Sequence, residues 1–151
     1  MAFTGNFMCT SFKQQLLEAA HDFRNPGGDS FYCALYDNSP SFTANTTAYT
    51  SSGEVGASGT YVAGGGLLVS VSPTTNAPGG TTAFPSFNNF SWTSATINAY
   101  GCMIYNSTPT HTYTNPSVVI LDFGGPKTST AGTFQIIFPA ATSTTAIIRI
   151  A

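Results

Sequence analysis

The sequence predicts a mainly β fold, an antiparallel β-sandwich of jelly-roll type preceded by one N-terminal α-helix. Helical periodicity occurs in a single stretch near the start. After residue 28, short segments rich in Thr, Val, Ile and aromatic residues alternate with clusters of Gly, Pro, Asn and Ser, the pattern of strands joined by turns. No helical stretch recurs between those segments, which argues against parallel strands with helical crossovers.

The helix is expected over residues 10–24. TSFKQQLLEAAHDFR carries four of the ten charges and places Phe12, Leu16, Ala20 and Phe23 at near-helical spacing, so these four form the expected packing face. Thr10 is the expected N-cap, and Asn25-Pro26-Gly27-Gly28 the expected stop. Strands are expected at 30–36, 47–50, 60–63, 66–72, 87–93, 96–105, 117–123, 133–138 and 145–150, with turns or loops at 53–56, 73–80, 106–116, 124–126 and 139–144. The run Val118-Val119-Ile120-Leu121 lacks clean alternation, which predicts a strand covered on both faces or packed in an interface. Residues 1–28 then read as an arm plus helix and 29–151 as the β body, within one structural domain.

Composition narrows the function. The chain has 151 residues, enough for one ordinary core, and is only 7% charged, against about 25% in an average domain. Four Lys/Arg spread from Lys13 to Arg149 form no basic stripe, so nucleic acid is not an expected partner. Hydrophobic content of 42% and a net charge of -2 argue against disorder. The 23 Thr and 16 Ser must supply the surface polarity that charges normally give. A neutral, hydroxyl-rich surface suits a permanent assembly. No stretch approaches the roughly 20 apolar residues of a membrane span, and residues 1–8 lack the cationic start of a secretory leader. Cytoplasmic synthesis is the expectation.

Motifs of chemistry are weak. Cys9, Cys33 and Cys102 are odd in number and form no CxxC pair, so they read as buried free thiols rather than a zinc site or disulfide framework. His21 and His111 have no serine in a nucleophile elbow to serve. Asp122-Phe123-Gly124 spells a kinase tripeptide without the nucleotide loop or catalytic loop a kinase needs. It reads as a strand ending in a tight turn. Gly64-Gly65-Gly66 lacks the Lys-Ser/Thr of a phosphate loop and reads as close backbone approach or positive φ. Glu54, in the turn Gly53-Glu54-Val55-Gly56, is the one acid away from helix and strand edges and reads as a solvated or salt-bridged turn residue. No catalytic, metal or cofactor residue is assigned. Trp92 and the tyrosines would line a sugar groove only if their rings were exposed.

The ordered series Ala34-Leu35-Tyr36, Gly53-Glu54-Val55, Tyr61-Val62-Ala63-Gly64-Gly65, Ser91-Trp92-Thr93, Ile104-Tyr105-Asn106, Leu121-Asp122-Phe123-Gly124 and Thr133-Phe134 through Pro139 resembles a family of small tailed-bacteriophage virion proteins over residues 12–150. The resemblance implies a structural component of the virion, and more finely a decoration (cement) protein on the capsid exterior. Its implied partners are the major capsid protein and copies of itself, most simply as a homotrimer. The recurring residues Tyr61, Gly64, Gly65, Trp92, Tyr105, Asn106, Asp122, Phe123 and Gly124 carry structural roles in that reading. A neck, tail or fibre-associated binding protein, with carbohydrate as one possible ligand, is the alternative. An enzyme ranks last.

Overall fold

A computed structural model describes residues 3–75 and 80–151. The expected loop 73–80 therefore falls partly outside the described residues. The described chain is mainly β, 44% strand against 6% helix, with antiparallel sheets and a single short helix. In chain order the elements are β1 (Phe7–Met8), α1 (Thr10–Leu17), β2 (Phe31–Tyr36), β3 (Gly66–Leu67), β4 (Ser70–Thr75), β5 (Ala83–Phe87), β6 (Phe90–Asn106) and β7 (Ser117–Ile136). One sheet has five strands in the order β1-β7-β6-β2-β3, and a second pairs β4 with β5. The jelly-roll form goes beyond what these two sheets define.

The β6–β7 ribbon dominates the molecule, and it is not straight. Phe123 and Phe134 lie eleven positions apart on β7, about 36 Å in an extended strand. Their ring centroids are 6.5 Å apart, so the ribbon folds back on itself. Bulges make the bend. Between the pairs Gly101↔Asp122 and Ala99↔Lys127, four β7 residues face Tyr100 alone, with Gly124 at φ 70 and Gly125 at φ 133. A second irregularity flanks the Ala95↔Gly132 pair, where Ser94 and Ala131 take φ of 52 and 45. The separate strands expected at 87–93 and 96–105, and at 117–123 and 133–138, are thus merged into continuous β6 and β7. The expected turn 124–126 is a bulge inside β7, because the partner strand keeps pairing on both sides of it.

Other boundaries also differ from expectation. Helix α1 stops at Leu17, not at residue 24. Ala19 adopts φ 57, its N–H donates to Leu16 O (3.1 Å), and the Ala20 N–H donates to Gln15 O (2.9 Å), a Schellman closure built on alanine where glycine is usual. The early stop lets the chain turn inward. Ala20 and Phe23 are buried as expected, but from the segment after the helix, alongside Phe12; Leu16 is half-buried. Thr10 is not the cap either: Cys9 occupies the N-cap position and makes no side-chain cap bond. Segments 47–50, 60–63 and 145–150 contribute only single bridges, at Ala48, Tyr61 and Ile150. The expected strand 66–72 is divided between β3 and the start of β4.

The core lies against β2, β6 and the first part of β7. Phe31, Cys33, Ala34, Leu35, Met103, Ile104, Val118 and Ile120 are all fully enclosed. Val118, Val119 and Ile120 are covered on both faces, which accounts for their missing alternation. Phe12, Phe23, Phe31 and Phe87 form a ring cluster, with Phe23 stacked on Phe31 at 4.3 Å. Burying aromatic side chains in such contact is the largest apolar contribution a chain of this composition has.

Candidate functional site

Glu54 sits in the turn that runs beside the end of β2. Here the edge of β2 has no strand partner, and other groups complete it. The Val55 N–H donates to Leu35 O (3.0 Å), while the Leu35 N–H donates to the Tyr61 hydroxyl (2.9 Å). Tyr61 in turn donates to Glu54 Oε1 (2.8 Å), as does the Gly64 N–H (2.8 Å), and Tyr49 donates to Oε2 (2.6 Å). Tyr105 closes the cluster by donating to Gly64 O (2.8 Å), with its ring stacked on Tyr49 at 4.7 Å. The carboxylate is thus held by two phenols and a backbone amide and stays half-buried; no salt bridge to it forms among the described residues, which is where the structure departs from the solvated or salt-bridged expectation.

Burial, followed by the Glu54 carboxylate, raises the hydroxyl of Tyr105 to about 12. Burial is also the leading cause that pushes Tyr49 and Tyr61 upward. All three remain neutral donors at physiological pH. Gly64 and Gly65 have φ of 92 and 80, and a Cβ on Gly65 would collide with the Cys33 carbonyl. The sequence reading of close approach and positive φ holds at this position. Trp92 is 1% exposed and packs on Tyr61 at 5.1 Å, so of the recurring residues Tyr61, Gly64, Gly65, Trp92 and Tyr105 come together in one place.

Asn106 belongs to a second network. It is fully buried. Its Oδ1 accepts the Thr108 N–H (2.9 Å) and its Nδ2 donates to Asp29 Oδ2 (2.7 Å). That polarity fixes the rest. Asn106 Nδ2 lies 3.0 Å from His21 Nδ1 and must donate to it, so the neutral ring carries its proton on Nε2 and donates to Gln15 Oε1 (2.9 Å). Burial, opposed in part by the Asp29 charge, lowers His21 to about 4. The ring is a neutral hydrogen-bonding strut between Phe12, Phe23 and Phe31. His111 is exposed, with Nε2 2.7 Å from the carbonyl of Glu18, the residue that follows α1.

Asp122, Phe123 and Gly124 lie apart from both networks, at the large bulge of β7. The Gly124 N–H donates to Asp122 Oδ1 (2.8 Å) and the Asp122 N–H to Asn6 Oδ1 (2.7 Å). The three cysteines are free and buried. Burial raises the Cys9 thiol, and the adjoining Cys33 thiol together with burial raises Cys102, so neither is poised as a thiolate. Among the described residues no group of three or more His, Cys, Asp or Glu gathers as a metal site.

The surface feature the sequence reading missed runs from β3 into β4. Leu67, Val69 and Val71 are 49%, 50% and 36% exposed, and Leu68 and Ser70 between them are buried. The three are thus apolar side chains left half in water, at the passage from one sheet to the other, where polar residues are usual. Arg24, Asn25 and Gly27 border this segment, with Arg24 paired to Asp22. In sequence Leu67-Leu68-Val69-Ser70-Val71 is a nearly unbroken apolar run, and without alternation it does not tell which side chains face water. Comparison with protein-family models, curated proteins and solved structures finds no match to this chain.

Proposed function

We propose that this chain is a non-enzymatic virion structural protein, a decoration protein that binds joints of the major capsid protein on the capsid exterior as a homotrimer. The observation that carries the reading is the half-exposed stripe Leu67-Val69-Val71. An apolar strip with an arginine and amides at its border has the make-up of a protein interface, apolar at the centre and polar at the rim. The low charge of the chain supports the same reading, because a surface of hydroxyls and apolar groups is removed from water at smaller desolvation cost than one of charges. The non-enzymatic reading is supported by Glu54 and His21, each of which is engaged by hydrogen bonds within the fold. No helix is long and apolar enough to cross a membrane among the described residues, and neither membrane nor nucleic acid enters the proposal.

The neck, tail or fibre alternative with an aromatic sugar groove is less well supported. Trp92 is enclosed and none of the seven tyrosines is fully exposed. Cryo-electron reconstruction of the virion that carries this protein tests the placement. Density over the joints between capsid subunits, threefold in arrangement and with residues 67–71 toward the shell, is the expected result. Density confined to the neck or tail would replace the proposal with its alternative, and a particle without the protein would overturn both.

A further inference from the structure

The geometry points to a strand-addition site on the outer edge of β7, one that takes an extended segment of a partner protein carrying apolar side chains and a carboxylate. The site is separate from the Leu67-Val69-Val71 stripe and does not rest on the capsid reading. β6 lies along one side of β7, and on the other side β1 pairs only with Val119 and Ile120. The rest of that second edge is open.

Neighbouring bonds fix which backbone groups face outward. The Thr93 N–H donates to Thr60 Oγ1 (2.8 Å) and the Thr60 N–H to Thr93 O (3.1 Å), so Thr93 of β6 faces away from β7, and by strand alternation Trp92 and Phe90 face toward it. Their partners on β7 are Phe134 and Ile136, whose N–H and C=O groups are thereby used. The Phe138 N–H donates to Asn89 Oδ1 (2.9 Å), again on the β6 side. The intervening Thr133, Gln135 and Ile137 therefore turn their N–H and C=O groups outward, where none finds a hydrogen-bond partner among the described residues.

Two features set this stretch apart from an ordinary sheet edge. Folded chains blunt their edges with short strands, bulges, Pro or Lys: β1 and β3 have two residues each, and the large bulge of β7 carries Pro126 and Lys127. Residues 133–137 have none of these, and Ile137 is 71% exposed. The second feature is a cleft of about 440 Å³, within the roughly 300–1,000 Å³ of ligand sites. Every residue of its lining belongs to β7 or, as Ile137, follows it directly, and none comes from β6, so the cleft lies on the open side, in the fold-back that brings Phe123 and Phe134 together. An added strand bonds to the outward groups of Gln135 and its neighbours and places a side chain in the cleft, the combination that gives strand addition its affinity and its selectivity. Phe123, Phe134, Ile136 and Ile137 offer that side chain an apolar wall, and Lys127 is the one charged residue of the lining. Lys127 is exposed and forms no ion pair among the described residues, so a carboxylate on the added strand meets its counter-charge there. The same edge of a second copy brings no carboxylate, since residues 123–137 contain no Asp or Glu.

Hydrogen exchange followed by NMR on the full chain tests this, with end-capped peptides of alternating Val and Thr that carry Glu at one end or the other as probes. At least one Glu peptide should slow exchange saturably at the Gln135 and Ile137 amides and leave those of Phe134 and Ile136, already bonded to β6, as they were. Pro in place of a central Val of that peptide should weaken binding roughly tenfold, because it removes a donor from the added strand. Lys in place of its Glu should weaken binding about two- to fivefold, the worth of an exposed ion pair, and Lys127→Glu, an exposed substitution that leaves the fold intact, should reverse that preference. The proposal is overturned if no Glu peptide protects the two amides, if the Lys peptide binds the wild type as tightly as the Glu peptide, or if Lys127→Glu still prefers Glu. Protection of the same amides in the free protein that grows with protein concentration would assign the edge to a second copy and overturn it as well.

Discussion

Glu54 and Val69 both strain the usual partition of a folded chain, one holding a half-buried charge against aromatic rings and the other an apolar side chain half in water. The resemblance ends there. Every donor around Glu54 has a partner within the molecule: Tyr49, Tyr61 and the Gly64 amide surround the carboxylate, and Tyr61 also completes the β2 edge at Leu35. Such a network ties the Glu54 turn to β2, and bonds of this kind rigidify and specify a fold. The stripe Leu67-Val69-Val71 has no comparable completion within the described residues. Its side chains stay half in water. The comparison separates a polar group whose partners are inside the molecule from apolar groups whose partners, in the function proposed above, are outside it.

Breaking the inner side of the comparison gives the largest effect. Glu54→Ala strands two phenol hydroxyls and one backbone N–H, and should cost about 3 kcal/mol of stability, read by urea unfolding. A loss below about 1 kcal/mol would show that water replaces the carboxylate freely and that the network is not structural.

A second test uses pH. His21 is held near 4 when folded and takes up its proton near 6.5 when unfolded. Between those values the unfolded chain binds more protons, so this group makes stability fall as pH drops from about 6.5 toward about 4 and adds no further loss below. Above pH 7 it contributes no slope. His21→Gln should remove that part of the decline. An unchanged pH profile in this variant would mean that the ring is solvated rather than buried among Phe12, Phe23 and Phe31.

How much of this could be read beforehand depended on whether the cause was local. The β-rich body, the single helix and the breaks near Ser94 and Gly124-Gly125-Pro126 were visible, because turn formers and β-branched runs act over a few residues. What those breaks do was not visible. They are bulges in a folded-back ribbon because β6 and β7 keep pairing across them, which is a tertiary fact. Ala19 was equally hidden, since nothing about alanine announces φ 57; the turn there accompanies burial of Ala20 and Phe23. Phe12, Ala20 and Phe23 were found as core residues for a partly wrong reason, through a helix twice too long. For Glu54 a signal existed in the flanking Tyr49 and Tyr61, which stand in a stretch with no Lys or Arg between Arg24 and Lys127. An acid in so long a cation-free stretch has only hydrogen-bond donors nearby in sequence.

The outer side of the comparison is broken by Val69→Asp. Because Val69 is half exposed, its replacement should change stability by less than about 0.5 kcal/mol, the smallest folding effect of the three. Its effect should appear in attachment instead. The most direct measurement is the number of copies retained on purified particles after washing at about 0.1 M and about 1 M sodium chloride, where the Debye length shrinks from roughly 10 to 3 Å, for wild type and Val69→Asp side by side. Wild type should stay bound in both washes, since apolar and hydroxyl contacts offer salt little to screen, and the variant should fail to load although it folds. Wholesale release of the wild type at high salt, or full loading of Val69→Asp, would contradict attachment through the Leu67-Val69-Val71 stripe.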